Sequence, residues 1–329
     1  DVILYVVLDV YHSNRWSRAP LLLITYTVYA RETYPRFTRA GVSYSVKTLS
    51  GKPMLDTPIA RSVIDHALSL GADFAELFIE RNQVNSISTL SSEVQAVQSG
   101  IDFGIGVRVV YGTKVLYGYT NRTEKDELCR IVTELSAKDS RDPETSGVSF
   151  DFSVPRDIHS AERTLTKGSE VESKVEFLLK ADRTARAASN MISQTRGGCL
   201  QREQSVEIFT SEGLHASDIR NYIRASLSAI ASNGSEQATG GFNDGGLIGW
   251  EIQEAIDAEK TGAEAARQAL VNLSAKACPS GRMPVVIGPG FGGVIFHEAC
   301  GHLLETTSVA KKASVFHDKM GELIANPVV

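Results

Sequence analysis

Four stretches of the chain carry apolar residues at the three- and four-residue spacing of an α-helix. In the first stretch Val63, Ile64 and Ala67 would share one face, and a surface helix buries such a stripe against its neighbours. Pro58 suits the first turn of this helix, and Gly71 is a residue type that commonly ends one. The patterns predict helices over residues 58–70, 124–137, 169–189 and 252–274.

Shorter stretches alternate apolar and polar residues, which is the pattern of half-buried strands. In one of them Ile223 and Ala225 alternate with Arg224, and glycines separate several of the stretches. Because short connections join antiparallel neighbours, we expect an α+β fold of largely antiparallel sheets with long packing helices. The predicted strands cover residues 74–81, 84–90, 93–98, 104–111, 115–119, 191–202, 205–211, 219–231 and 283–287.

Three segments lack a sustained period. Residues 1–53 look unlike the rest, and we interpret them as an N-terminal extension, the alternative being a real strand or helix added to the core. Residues 138–166 are polar and contain prolines, which predicts a long surface loop. The glycine-dense residues 240–249 predict a flexible loop, either a substrate lid or a hairpin crossover.

Composition limits the class of protein. The 329 residues suggest two domains, and the net charge of −5 argues against nonspecific nucleic-acid binding. The four cysteines form no CxxC pair, so reduced thiols and a cytoplasmic location are expected. No apolar run reaches the length of a membrane span, so we expect no membrane segment.

One short window near the end concentrates chemistry. His297, Glu298 and His302 place two imidazoles and a carboxylate together, which are the groups of a hydrolytic zinc site. In such a site the histidines hold Zn²⁺ and the carboxylate takes a proton from the metal-bound water. The alternative is a chance grouping on an ordinary helix. Cys300 lies only two residues from His302, so we expect it to pack rather than to bind the metal.

The spacing of the two histidines predicts a local distortion. They are five residues apart, whereas the common helical zinc motif separates them by four. Five residues of a regular α-helix advance by about 140° beyond a full turn, which would aim the rings apart. A π-turn would realign them, and Gly301 is the expected place for it because glycine tolerates unusual backbone angles.

These residues resemble the metallopeptidase motif of the TldD/PmbA family. The resemblance extends from about Met54 to the last residue and is most specific in the His-Glu-Ala-Cys-Gly-His core and the glycine turn before it. It includes residues 71–81, 99–109, 211–213, 264–269, 284–305, 314–316 and 321–325.

The resemblance implies both an activity and an architecture. It implies a zinc-dependent peptidase for short or unfolded peptides, with His297 and His302 as zinc ligands and Glu298 as general base. Chains of this kind often work with a PmbA-like partner subunit. The implied architecture has two domains, with an N-terminal domain at residues 54–276 and the start of the C-terminal metallopeptidase domain at residues 277–329.

One departure from the family concerns the third metal ligand. In the family this ligand is a cysteine far downstream of the histidines, and no cysteine follows His302 here. We therefore expect a C-terminally truncated member with an incomplete second domain. Within the chain, His317 and Glu322 are candidate third ligands, whereas Glu305 is a candidate either for that ligand or for a residue that orients His302.

Two further functions stay open. A non-catalytic binding or assembly subunit is the main alternative, since PmbA-like subunits lack the histidine motif. A nucleotide-binding role for the glycines at residues 288–293 is the weaker alternative, because no Lys-Ser or Lys-Thr follows them.

Overall fold

The computed structural model describes residues 53–139, 161–288 and 291–324, together with three short strands. Those strands are β1 (Leu4–Leu8), β2 (Thr25–Tyr26) and β6 (Asp151–Ser153). The chain divides into two compact units. One comprises Ser45–Lys276, and the other combines Asp1–Tyr44 with Ala277–Val329.

A seven-stranded, mainly antiparallel sheet forms the centre of the larger unit. Its strand order is β5-β4-β3-β7-β8, and both β6 and β9 pair with β8. Only β6 runs parallel to its neighbour among the described strands. Together with the four helices that cover one of its faces, this sheet confirms the predicted α+β class. The strands, besides β6, are β3 (Phe74–Leu90), β4 (Glu93–Tyr111), β5 (Lys114–Thr120), β7 (Ile192–Thr210), β8 (Leu214–Ser232) and β9 (Gln237–Gly246).

Three of these strands each replace two shorter strands that the sequence pattern predicted. The expectation of two separate strands at 74–81 and 84–90 was wrong, because β3 continues through Asn82 and Gln83. The same holds for β4 and β7, each of which we had expected as two strands. The polar residues that resembled breaks have partners in the fold. Asn82 accepts a hydrogen bond from Arg202, 2.7 Å away, and Gln83 donates one to the carbonyl of Leu165.

Four helices cover one face of the sheet. They form two pairs, with α1 packed beside α2 and α3 beside α4. Buried residues of α1 and α2 join Leu77 and Ile79 of β3 in one core, and those of α3 and α4 join Ile87 of the same strand in another. Alternation along β3 puts these three residues on one face. The helices are α1 (Thr57–Ser69), α2 (Lys125–Ser136), α3 (Val171–Ala188) and α4 (Ala258–Leu273).

The opposite face of the sheet carries no helix among the described residues. Because successive side chains of a strand point to opposite faces, Phe78, Glu80 and Asn82 of β3 lie on this face. We call it the helix-free face.

The predicted helix at 252–274 is interrupted. A 3₁₀-helix at Trp250–Glu254 precedes α4, which begins only at Ala258. Asp257 separates the two because its side chain accepts hydrogen bonds from the backbone N–H groups of Glu259 and Lys260. An N-cap residue adopts extended backbone angles, so the helical pattern cannot continue through it.

The predicted glycine loop at 240–249 was also wrong for most of its length. Residues up to Gly246 belong to β9, which pairs with β8. A Cβ atom at Gly240 would lie 2.1 Å from the backbone nitrogen of Ala269 in α4. This glycine therefore allows the backbone of a helix to approach the backbone of a strand, which is a known use of glycine within strands.

The smaller unit contains the strand before the histidine motif. The predicted strand at 283–287 is confirmed as β10 (Met283–Ile287), and β1 pairs with it in antiparallel register. Interpreting residues 1–53 as an extension stays a prediction, and most of them lie outside the described residues. So do residues 140–150 and 154–160 of the predicted loop and residues 289–290 of the glycine turn. No helix in the described part of the chain is long and apolar enough to cross a membrane.

Candidate metal centre

The backbone widens between the two histidines. A 3₁₀ turn at Phe291–Gly293 and one α-helical turn at Val294–Phe296 lead into a π-helical segment at His297–Gly301. A 3₁₀ turn at His302–Leu304 follows. The predicted widened turn is therefore confirmed, and it accommodates the five-residue spacing of the motif.

Gly301 lies in this turn, but the reason expected for it was wrong. Its φ and ψ are −56° and −53°, which are ordinary helical values, so the turn does not use the conformational freedom of glycine. A Cβ atom at this position would lie 3.5 Å from Nδ1 of the His297 ring. That distance is an ordinary van der Waals contact, so the space beside the ring does not require glycine either.

The π-turn brings three polar groups together. One ligand atom each from His297, Glu298 and His302 lie within 4.8 Å of one another. The two imidazole centroids are 4.5 Å apart, and the ring planes meet at 72°. Among the residues the structure describes, this is the one group of three or more His, Cys, Asp or Glu side chains close enough to hold a metal ion.

The group fits zinc by its chemistry. Imidazole nitrogen and carboxylate oxygen are both zinc ligands, and ligand atoms around a tetrahedral zinc ion lie about 3.4 Å apart. The observed upper limit of 4.8 Å would then require side-chain shifts of about 1.5 Å at most. All three side chains are solvent-exposed, so water or a substrate could reach the same point.

Glu305 fixes the orientation of one ring. Its Oε1 lies 2.7 Å from Nδ1 of His302. Because a carboxylate only accepts, Nδ1 donates the hydrogen bond, which leaves Nε2 with a free lone pair, 3.7 Å from Oε2 of Glu298. The hydrogen bond to Glu305, together with the negative charges of Glu305 and Glu298, raises the pKa of His302.

The other predicted third ligands lie outside the group. The ring of His317 donates through Nδ1 to the carbonyl oxygen of Ser314, 2.9 Å away. Glu322 forms an ion pair with Lys319 at 3.3 Å. Cys300 is partly buried and is not among the grouped residues.

Ser314 is a contributor that the sequence analysis missed. It is 3% exposed, and its hydroxyl donates to the carbonyl of Leu303 and accepts from the N–H of Phe316. These bonds tie the segment after the motif back to the turn that carries His302. A serine hydroxyl that accepts from the backbone two residues later is a recognisable turn signal.

Comparison with protein families gives three matches along the chain. Residues 75–137 match PmbA/TldA metallopeptidase domain 1, residues 167–273 match the central domain, and residues 280–329 match the C-terminal domain. The last match contains the histidine motif.

Individual relatives agree with these matches. The chain is 31% identical over 288 residues to the protein named Metalloprotease TldD homolog of Haemophilus influenzae. The aligned region covers 85% of this chain and 60% of that protein. The chain thus spans less than two thirds of that relative's length.

Two solved structures share the fold at low identity. A Bacteroides thetaiotaomicron protein described as a candidate modulator of DNA gyrase superposes with a TM-score of 0.65 and 15% identity, over 82% of this chain and 61% of that one. TldE from Thermococcus kodakarensis superposes with a TM-score of 0.57 and 14% identity, over 79% and 58%.

Proposed function

The chain belongs to the TldD/PmbA family of metallopeptidases, and on that premise we propose that it is a zinc-dependent peptidase acting on short or unfolded peptides. In this proposal His297 and His302 hold the metal and Glu298 is the general base. The observation that carries the proposal is the π-turn, which brings both imidazoles and the carboxylate to one point.

Each side chain of the group has a separate task. A bound zinc ion would polarise the scissile carbonyl and acidify a water molecule. Glu298 accepts the proton of the attacking water and delivers it to the leaving amine. Glu305 holds His302 with Nε2 directed toward the ligand group, because its hydrogen bond fixes the tautomer and the ring orientation.

The set of protein ligands extends beyond the two imidazoles. Catalytic zinc sites usually have three protein ligands and one open position. If Glu298 serves as the base, a third ligand comes from outside the described residues, either from this polypeptide or from a partner. A PmbA-like partner subunit is part of our proposal, and the structural similarity to a TldE protein supports it.

The sheet supports a preference for extended substrates. Strand β4 pairs with β5 only from Ile105 to Tyr111, so residues 93–104 have β3 on one side and no described strand on the other. A free strand edge of this kind can pair with the main chain of a peptide in extended form. Such pairing requires an unfolded segment and does not select its side chains.

Replacing the proposed base gives the most direct test of function. In the full-length protein supplied with zinc, Glu298→Gln should lower peptide cleavage by about 10²-fold or more while zinc stays bound. Glu322→Gln is the matched control, since Glu322 is exposed and pairs with Lys319, and it should leave cleavage unchanged. Equal cleavage by the wild type and Glu298→Gln would refute the assignment.

A non-catalytic binding or assembly subunit is the second candidate function. It is favoured by the solvent exposure of the histidine group, which has two imidazoles and no cysteine. A zinc content well below one ion per chain after reconstitution would select this alternative. Cytoplasmic localisation is proposed for either function, and the four cysteines, all free, support it.

A further inference from the structure

An open cavity of about 550 Å³ lies on the helix-free face where β5 ends. Strands β3, β4 and β5 all contribute to its lining. It belongs to the larger unit, and the proposed peptidase chemistry makes no use of it. Its lining combines aromatic rings, carboxylates and glycines, including Phe78, Glu80, Asp102, Gly104, Tyr117 and Tyr119.

Glycines of β4 form the floor and tyrosines of β5 form a wall. A Cβ atom at Gly106 would lie 2.4 Å from the hydroxyl oxygen of Tyr117, so that ring lies directly over the glycine. Tyr119 stands opposite Gly106 in the strand register, on the same face, and is 80% exposed. Exposed tyrosine rings around a depression offer their negative faces to a ligand.

The charge balance of the cavity is negative. The carboxylate of Glu80 is engaged by Arg202 at 3.0 Å and by Gln204 at 2.5 Å, so a cation already balances it. Asp102 is exposed and lies opposite Asn82 in the register, and no described residue forms an ion pair or hydrogen bond with its side chain. An unbalanced carboxylate and tyrosine rings thus line the same cavity. Each attracts an organic cation, the carboxylate by its charge and the rings by cation–π contact.

The cavity adjoins the free edge of β4. Asp102 and Gly104 line the cavity and also belong to the edge segment at residues 93–104. A peptide paired with that edge would place every second side chain on the helix-free face. The cation that the cavity can reach in this way is therefore the side chain of a basic residue.

We propose that this cavity binds the lysine or arginine side chain of an extended polypeptide paired with the free edge of β4. The choice of a polypeptide as ligand rests on the proposed peptidase function. The choice of a basic side chain rests on Asp102, Tyr117 and Tyr119. The main-chain pairing would then not depend on the peptide sequence, while the cavity would select a basic residue at one position.

The test compares two labelled peptides by fluorescence anisotropy. Both alternate threonine and valine, and the central residue is lysine in one and norleucine in the other. The protein is the full-length Glu298→Gln variant, so that neither peptide is cleaved. The lysine peptide should bind about tenfold more tightly, since a cation–π contact plus one charge contributes about that factor.

Variants locate the effect. Asp102→Asn should weaken binding of the lysine peptide about tenfold and leave the norleucine peptide unchanged. Asp244→Asn is the matched control, an exposed aspartate of β9 outside the cavity, and it should change neither. Because Asp102 is exposed and has no partner among the described residues, its replacement does not endanger folding.

Three results would overturn the proposal. They are equal affinity for the two peptides, an Asp102→Asn variant that behaves like Asp244→Asn, and free spermidine that binds as tightly as the lysine peptide. Failure of the peptidase function is separable from these results. In that case Glu298→Gln leaves cleavage unchanged or no cleavage occurs, whereas the lysine preference in binding persists.

Discussion

Replacing Gly262 by alanine probes the packing of α3 against α4. Gly262 is buried within α4, and a Cβ atom there would lie 2.1 Å from the carbonyl oxygen of Ala181 in α3 and 2.9 Å from its carbonyl carbon. Both atoms are backbone, so no side-chain rotation can relieve the contact. The two helices would have to separate by about 1 Å to reach normal contact distances.

The two opposing effects have known sizes. Alanine is about 1 kcal/mol more favourable than glycine within a helix. Overpacking of a buried site typically costs about 1–3 kcal/mol, and a clash between two helix backbones belongs at the upper end. We expect Gly262→Ala to lower the free energy of unfolding by about 2 kcal/mol in total.

Urea unfolding monitored by circular dichroism measures this change. Ala263→Gly is the calibrating variant, because Ala263 is an exposed residue in the interior of α4, and its loss of about 1 kcal/mol reports helix propensity alone. If Gly262→Ala stabilised the protein by the amount that Ala263→Gly destabilises it, the close helix contact would be refuted.

Three further predictions concern buried or paired charges. Asp182→Ala should destabilise the protein by about 3 kcal/mol in urea unfolding, because the Asp182 carboxylate accepts from both the N–H and the hydroxyl of Ser92 at the β3–β4 turn. Burial lowers the pKa of Lys174 in the folded protein. Because the unfolded state then holds this proton more tightly, the free energy of unfolding should rise with pH between the lowered pKa and the unfolded value of about 10.4. Lys174→Met should reduce that rise in a pH series of unfolding curves. Glu305→Gln should weaken zinc binding about tenfold or more in a chelator competition, because the bond that orients His302 loses its charge.

Local spacing predicted the backbone around the two histidines better than it predicted the sheet. The five-residue interval between His297 and His302 predicted a widened turn if both rings were to reach one ion, and the structure has a π-turn there. Such a prediction needs only the helix period and the geometric demand of two ligands on one ion. The approach of Glu305 to His302 followed from the same local geometry.

Long-range contacts were beyond the sequence pattern. The buried carboxylate of Glu207 accepts from the backbone N–H groups of Met54 and Leu55 and lies 2.7 Å from Nε2 of His215. These partners are more than 150 residues away in two of the three cases. Periodicity describes one segment at a time, so it gives no reason for this glutamate of β7 to be buried.

Glycines were misread for a related reason. The glycine-dense stretch after residue 239 predicted a flexible loop, yet α4 packs directly over Gly240. A missing side chain permits both flexibility and close backbone approach, and only the packed neighbour decides between them. Asp257 was a signal that could have been used, since it stands just before a helical run and is a preferred N-cap residue.

Metal analysis of histidine variants tests the central claim most directly. After reconstitution and removal of excess metal, the full-length protein should retain about one zinc ion per chain, and His297→Ala and His302→Ala should each lose it. His66→Ala should retain it, because that ring contacts Thr133 in the larger unit. Zinc retained equally by all four proteins would contradict the claim that the π-turn assembles a metal site.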